Sequence, residues 1–362
     1  MPAFAEILSV AEGLAYEAAW RDLALRAAEA NPFAEIAFLG PALLHLARKN
    51  ALRIALVWSE PERRTLLAAI VFAPPALALG FIRVWRHEQA ALGAAMFDRE
   101  APALRPLAEA LKSAFPLAAG WLLPRIARDG AVARAARAAG GDRFAEVSLL
   151  RRAAFEFGAD AEPGAKRRKE WARLERRLAE RGRLEARVLV DGEAFERFLA
   201  LEAKGWKGAR RTALIDAPAR AAFAREMAAG FRQDGRLRIH ELALDGAAVA
   251  SGIELRAGRR AFFWKIAYDE ALAAFSPGVL LTRALSRRLA KEGEVDLIDS
   301  CAAPDHPMID RVWPGRLEFA DFAFVLGPAP LFSAFLAWDR AAPRLRERIK
   351  DVALPLLGRK RS

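Results

Sequence analysis

The sequence holds one cysteine, two tyrosines and four histidines in 362 residues. A lone cysteine, Cys301, excludes an internal disulfide framework and a thiolate-rich zinc site. Cys301 reads as a packed small residue rather than a nucleophile, because the sequence places no activating partner beside it. No histidines are paired at ligand spacing, so no metal is expected. There is no nucleophile elbow and no Walker loop, which sets aside α/β-hydrolase and P-loop chemistry. Long apolar runs are also missing. The longest stretch free of polar side chains, 66–82, is cut by Pro74 and Pro75 into strand-length halves, whereas a spanning helix needs about 20 apolar residues. The first twenty residues carry three glutamates and no basic residue. They do not read as a signal peptide, and the expected location is the cytoplasm.

What is present supports a folded chain: 54% hydrophobic, 28% charged and 9% aromatic residues. At roughly 150 residues per domain, two domains are expected. The net charge is +12. Such an excess attracts an anion, whether a nucleotide cofactor, tRNA or a membrane surface, or it is simply a basic solvated surface.

Residues 1–50 read as helical, with Trp20, Leu23, Ala24 and Ala27 at helical spacing and a break at Asn31-Pro32-Phe33. A second helix is expected over 40–49. Strands 52–58 and 66–72 form a hairpin through the polar link 59–64, and a third strand covers 76–84. Helices are expected over 101–114 and 130–139. The small residues of 158–165 read as a linker. They divide the chain into an N-terminal unit, 1–157, a C-terminal unit, 158–329, and a basic helical tail, 330–362. The C-terminal unit opens with a basic helix, 166–181, holding eight Lys/Arg and three Glu residues. Its apolar stripe is Trp171, Leu174 and Leu178. A strand, 184–190, and a helix, 194–203, follow. Strands 237–244 and 248–255 are joined by Asp245-Gly246, a strong hairpin signal. A third strand covers 261–268. Gly278 opens a helix reaching Lys291, and strands 295–299 and 317–325 complete the pattern. The hairpin after Leu52-Arg53-Ile54 echoes the one after Leu237-Arg238-Ile239, which points weakly to two copies of one unit.

An ordered set of local motifs carries a resemblance. These are Asn31-Pro32-Phe33, Trp85-Arg86-His87 before Leu92-Gly93, Gly205-Trp206-Lys207-Gly208 before Thr212-Ala213-Leu214, Tyr268-Asp269 and Ser276-Pro277-Gly278. In this order the chain resembles the cellulose-biosynthesis-type acetyltransferases of the GNAT superfamily, which are related to the Fem-type aminoacyltransferases. The resemblance implies an α/β (α+β) fold of tandem GNAT-like domains, each a mixed, mostly antiparallel sheet flanked by helices. It implies an acyltransferase whose donor is acetyl-coenzyme A or another acyl-coenzyme A, and a small-molecule or glycan acceptor, as in envelope polysaccharide metabolism. A phosphate-holding helix N-terminus is then expected at Ser276, Gly278, Val279 and Leu280. This loop departs from the usual glycine-rich form. Leu280 stands where a second small residue is usual, and Pro277 removes one backbone N–H. Fem-type enzymes also lack the intact loop, so a tRNA-borne aminoacyl donor stays open.

Acyl transfer needs an amine that loses a proton, a stabilised carbonyl oxygen and a proton for the leaving group. Tyr268 could supply that last proton, or it is a sheet-edge tyrosine. Asp299, at a strand end, could act as a base or as a strand-end acceptor. His306, in an irregular stretch, titrates in a useful range or is incidental. Asp269 could bind an amine or cap a turn. Trp206 and Lys207, flanked by glycines, could approach the substrate closely or form a structural corner. Lys265 could face the cleft or solvent. In the N-terminal unit, which shows no donor loop, His87 and Asp98 are the polar candidates.

Overall fold

The computed structural model describes residues 3–48, 51–77, 79–140, 144–158, 164–334 and 336–338. Thirteen strands among these join in one sheet. The N-terminal unit supplies β1 Phe4–Leu8, β2 Arg53–Trp58, β3 Leu66–Ala73, β4 Phe81–Val84, β5 Ala95–Phe97, β6 Gly120–Ala127 and β7 Phe144–Glu156. The C-terminal unit supplies β8 Leu184–Leu189, β9 Leu237–Leu244, β10 Ala247–Ala257, β11 Arg260–Tyr268, β12 Leu297–Asp299 and β13 Gly315–Val325.

The order across the sheet is β1-β2-β3-β4-β6-β13-β7-β12-β11-β10-β9-β8, with β5 on β3. Read from its two edges inward, the sheet repeats itself. Antiparallel β1-β2-β3-β4 matches antiparallel β8-β9-β10-β11. Each run then meets a parallel neighbour, β6 beside β4 and β12 beside β11. The weak sequence echo between the two hairpins is therefore a structural repeat. At the centre the units exchange their last strands. β13 pairs with β6, β7 pairs with β12, and the two exchanged strands pair with each other along most of their length.

Local chemistry explains most of this. β2 and β3 are nearly continuous apolar runs, as suits strands covered on both faces. The β9–β10 turn uses Asp245 and Gly246 at φ 49° and 84°, the left-handed pair that a tight hairpin demands. The units share a core. Phe33 and Phe38 of the first pack with Phe223, Phe262 and Trp264 of the second, and Phe38 meets Phe223 and Trp264 edge-on at 5.1 and 6.0 Å. Helix Ile36–His45 lies against helix Pro218–Gln233 so closely that a Cβ at Gly230 would sit 3.3 Å from Ala37.

Several expectations are corrected. Phe4–Leu8 is a strand pairing with β2, not part of a helix. The second helix is Ile36–His45 and starts before Gly40. β6 and β7 fall where no strand was expected. The linker read at 158–165 lies mostly outside the described residues. The described part of the tail, 330–334 and 336–338, is helical. Its Phe332 and Leu336 pack on Phe81 and Leu122 of the N-terminal unit; the rest of the tail lies outside the described residues.

Strand exchange has a thermodynamic consequence. A fragment ending at residue 158 lacks β13, so it leaves the facing edges of β6 and β7 without partners. Such a fragment is expected to show no cooperative unfolding. The full chain should unfold in one step, with near- and far-ultraviolet circular dichroism coincident. Two separated transitions would contradict interlocked units.

Candidate active site

β11 and β12 run side by side only over Arg260–Phe262 and Leu297–Asp299. β11 then continues to Tyr268, while the chain after Asp299 turns away through Cys301 at φ 53°. The splay opens a cleft of about 550 Å³ bordered by Tyr268, His306, Ser276, Gly278, Val279, Trp206, Lys207 and Lys265. Leu280, Asp269 and Asp299 do not border it.

The turn at the cleft mouth is built from its sequence. The Asp269 carboxylate accepts the Ala271 amide at 3.0 Å and the Lys204 ammonium at 2.8 Å. It thereby starts a short 3-10 turn, Glu270–Phe275. Ser276 closes that turn in the left-handed region, at φ 51°, and Pro277 opens the helix Pro277–Glu292 at the position proline favours. The Val279 and Leu280 amides return to the Ser276 carbonyl at 3.0 and 3.2 Å. The Ser276 hydroxyl does not cap the helix, and the Gly278 amide has no acceptor among the described residues. Gly278 leaves the mouth open, since a Cβ there would lie 3.1 Å from the Met308 sulfur and 3.6 Å from the Tyr268 ring. A bare amide at the N-terminus of a four-turn helix favours an anion. Leu280, expected at the loop, is buried with Leu178, Leu242 and Leu281 and anchors the helix. Asp269, expected to meet an amine, is committed to capping and to Lys204.

Inside the cleft, His306 accepts the Met308 and Ile309 amides through Nδ1 at 3.3 and 3.4 Å. The neutral ring then carries its proton on Nε2 and acts as a donor. The Tyr268 hydroxyl has no protein partner among the described residues. Lys207 pairs with the buried Glu202 at 2.7 Å, and Glu202 also accepts the Leu214 amide at 2.8 Å. The Trp206 amide donates to Glu270 at 2.7 Å, which ties the glycine-flanked corner to the turn before Pro277. Glu270 was not singled out in the sequence; a glutamate beside a capping aspartate looks like ordinary turn solvation. Burial, with the Lys207 charge adding to it, pushes the Lys265 ammonium down to about 8. Burial likewise pushes the Cys301 thiol up, well away from thiolate.

Asp299 is not in the cleft. It is 1% exposed and pairs with Arg152 of β7 at 2.5 Å, while its other oxygen accepts the Cys301 amide at 2.9 Å. The Arg152 guanidinium also stacks on Phe319, 4.2 Å from the ring centroid. An aspartate neutralised in this way holds β7, β12 and β13 together. Replacing Arg152 by methionine leaves a buried charge unpaired and is expected to cost about 3–5 kcal/mol, seen as a lower urea midpoint with an unchanged slope. A loss under about 1 kcal/mol, the level of a surface pair, would show the pair to be dispensable.

In the N-terminal unit, Asp98 is also structural. It pairs with Arg26 and accepts the Glu100 and Ala101 amides. His87 accepts the Gln89 amide at 3.1 Å and sits against Trp85 and Phe223; burial pulls its pKa down. At the repeat-related pair β4 and β6, the apolar side chains Phe81, Phe332 and Leu336 pack together.

Residues 165–306 match the family model described as an acetyltransferase (GNAT) domain. The chain thus carries a GNAT acetyltransferase domain and is an acyltransferase. A search of curated proteins gave no match. Among solved structures, FemX is similar in fold, with a TM-score of 0.57 at 10% identity, covering 91% of this chain and 100% of FemX. The C-terminal domain of a protein described as a putative lysylphosphatidylglycerol synthetase, from Agrobacterium fabrum, gives 0.54 at 13% identity, covering 90% and 95%. A conserved protein of unknown function from Bacteroides thetaiotaomicron gives 0.53 at 12% identity, covering 86% and 97%. No helix among the described residues is long and apolar enough to cross a membrane.

Proposed function

We propose that the chain transfers an acyl group from an acyl-coenzyme A to an amine acceptor, with the chemistry in the splay between β11 and β12. The bare Gly278 amide carries this reading, because it gives the donor pyrophosphate a helix N-terminus with no competing carboxylate. Tyr268, on the strand facing that turn, would give its hydroxyl proton to the departing thiolate and take back the proton that the amine loses. His306, as a neutral Nε2–H donor, suits the developing negative charge on the carbonyl oxygen. Trp206 and Lys207, which also border the cleft, would contact the acceptor. Asp299, paired with Arg152, takes no part in proton transfer. An envelope-polysaccharide acceptor met in the cytoplasm is compatible with this reading.

A Fem-like reading, with the donor on tRNA, is favoured by one feature. The basic helix Ala165–Ala179 lies against the donor turn, and the guanidinium groups of Arg177 and Arg181 sit over Phe275 at 5.4 and 5.3 Å. Phosphates running along that face would extend beyond a single cofactor.

A melting-temperature screen of acetyl-coenzyme A and longer acyl-coenzyme A species against charged tRNA separates the two. Stabilisation by an acyl-coenzyme A, at RT ln(1 + [L]/Kd), is the expected result. Stabilisation by charged tRNA alone, steeply lost with salt, would transfer the assignment to the second reading.

A further inference from the structure

The β10–β11 register slips by one residue. Ile253 faces Lys265 while Glu254 faces Phe263, so Trp264 is the extra residue of a bulge. Strict alternation would send Trp264 and Lys265 to opposite faces; the inserted residue puts both on the same one. Trp264 is fixed there. Its indole donates to the Gln89 carbonyl at 2.8 Å, and its ring packs edge-on against Phe38 and Phe223. Lys265 stands beside it, with Nζ 5.0 Å from the ring centroid, and borders the cleft.

Lys265 has no contacting counter-ion among the described residues. Two carboxylates line the cleft, Glu202 and Glu270. Glu202 is taken by Lys207 and the Leu214 amide, and Glu270 by the Trp206 amide. No carboxylate among the described residues contacts Lys265. At longer range Lys207 and Arg220 add positive field, and Glu202 and Glu88 add negative field. Lys265 shares its sheet face with Trp264 and Ala267, whereas Ile266 and Tyr268, which approach the Gly278 turn, belong to the other face. The anion it calls for is therefore distinct from the donor pyrophosphate.

We propose that Lys265 is the anion subsite for the acceptor, and that the acceptor is a carboxylate-bearing amine of the amino-acid type. The substrate carboxylate supplies the counter-charge that the protein withholds, and the salt contact orients the amine toward the acyl carbonyl. This rests on the acyl-transfer reading above. Bulge geometry makes the subsite specific, because the indole fixes one wall and the neighbouring Lys207 is already held by Glu202.

Two arms test it with the full chain. In the first, thiol release from acetyl-coenzyme A is followed with matched acceptors: glycine, alanine and glutamate against glycinamide, alaninamide and isoglutamine. At least one acid is expected to show a KM tenfold or more below that of its amide. Lys265→Met should erase that preference, bringing acid and amide to the same kcat/KM, and Lys265→Arg should restore part of it. In the second arm, calorimetry compares N-acetylated amino acids with their carboxamides and needs no turnover. Equal binding of acid and amide to the unaltered protein overturns the subsite, as does a preference that survives Lys265→Met. Absence of thiol release with every acceptor counts against acyl transfer itself, while the calorimetric arm still decides the subsite.

Discussion

Replacing Gly278 by aspartate should weaken acetyl-coenzyme A binding by roughly 100-fold or more and leave the fold intact. The first half of that expectation is electrostatic. The helix N-terminus contributes up to about 2 kcal/mol toward an anion in a partly buried setting. A carboxylate at the same place cancels this and adds like-charge repulsion, which at an effective dielectric near 20 reaches about 4 kcal/mol at 4 Å. At about 1.4 kcal/mol per tenfold change in affinity, even part of that sum exceeds 100-fold. The second half is conformational. Gly278 is in the first turn of Pro277–Glu292, outside the positive-φ residues, so any side chain fits its backbone. Aspartate is favoured in the first turn of a helix. The tightest neighbour of an added Cβ is the Met308 sulfur, at 3.1 Å, the end of a flexible side chain. Calorimetry and a urea melt on the variant check both halves. Retained affinity would remove the turn from the donor site, and a collapsed fold would show that glycine serves packing there.

Lys265→Met should stabilise the protein at neutral pH, on the order of 2 kcal/mol, while removing acceptor selectivity. The ammonium sits at about 8 instead of its ordinary 10.5. Each tenfold weakening of its hold on the proton corresponds to about 1.4 kcal/mol, discounted here for partial solvent contact. The sign follows from proton counting. Between about pH 8 and 10.5 the unfolded chain still holds the proton that the folded one has released, so stability rises with pH across that window. Below pH 8 the full penalty is present. The methionine variant should therefore exceed the unaltered protein most at pH 7, and the gap should shrink toward pH 10.5. Chemical denaturation at pH 7, 8.5 and 10 reads this directly. A gap that is flat or widening with pH would mean that Lys265 has a counter-ion in the folded state. A residue that costs stability where it stands is well suited to a ligand that neutralises it.

Physical causes separate what the sequence made legible from what it hid. The β9–β10–β11 meander could be read closely, because Asp245-Gly246 and the Ala257-Gly258 turn punctuate runs with clear patterning. The turn at Ser276 was legible for a similar reason: Pro277 and Gly278 mark a helix start whatever the rest of the fold does. β7 was hidden, since Glu146, Arg151 and Arg152 break its apolar pattern. Arg152 makes sense only beside Asp299, 147 residues away. β6 was hidden by Pro124 and by Arg125 at φ 56°. Strand exchange leaves no local trace at all, because β7 and β13 would carry the same side chains in either unit.

The same distinction explains the candidate site. Tyr268, His306, Trp206 and Lys207 border the cleft because each stands at an element end that the fold turns toward it. Asp299 was expected there too. A strand-end aspartate can serve a cleft or a buried cation, and β7, which was not foreseen, supplies the cation. Lys265 was ambiguous between cleft and solvent because its direction depends on the bulge at Trp264, and a bulge resets the two-residue period on which such a reading relies.

A crystal structure with acetyl-coenzyme A tests most directly whether the helix opened by Pro277 holds the donor. A pyrophosphate oxygen within about 3.2 Å of the Gly278 nitrogen, with the thioester between β11 and the His306 loop, is the expected result. A donor bound elsewhere on the chain, with the Gly278 amide facing water, would contradict it.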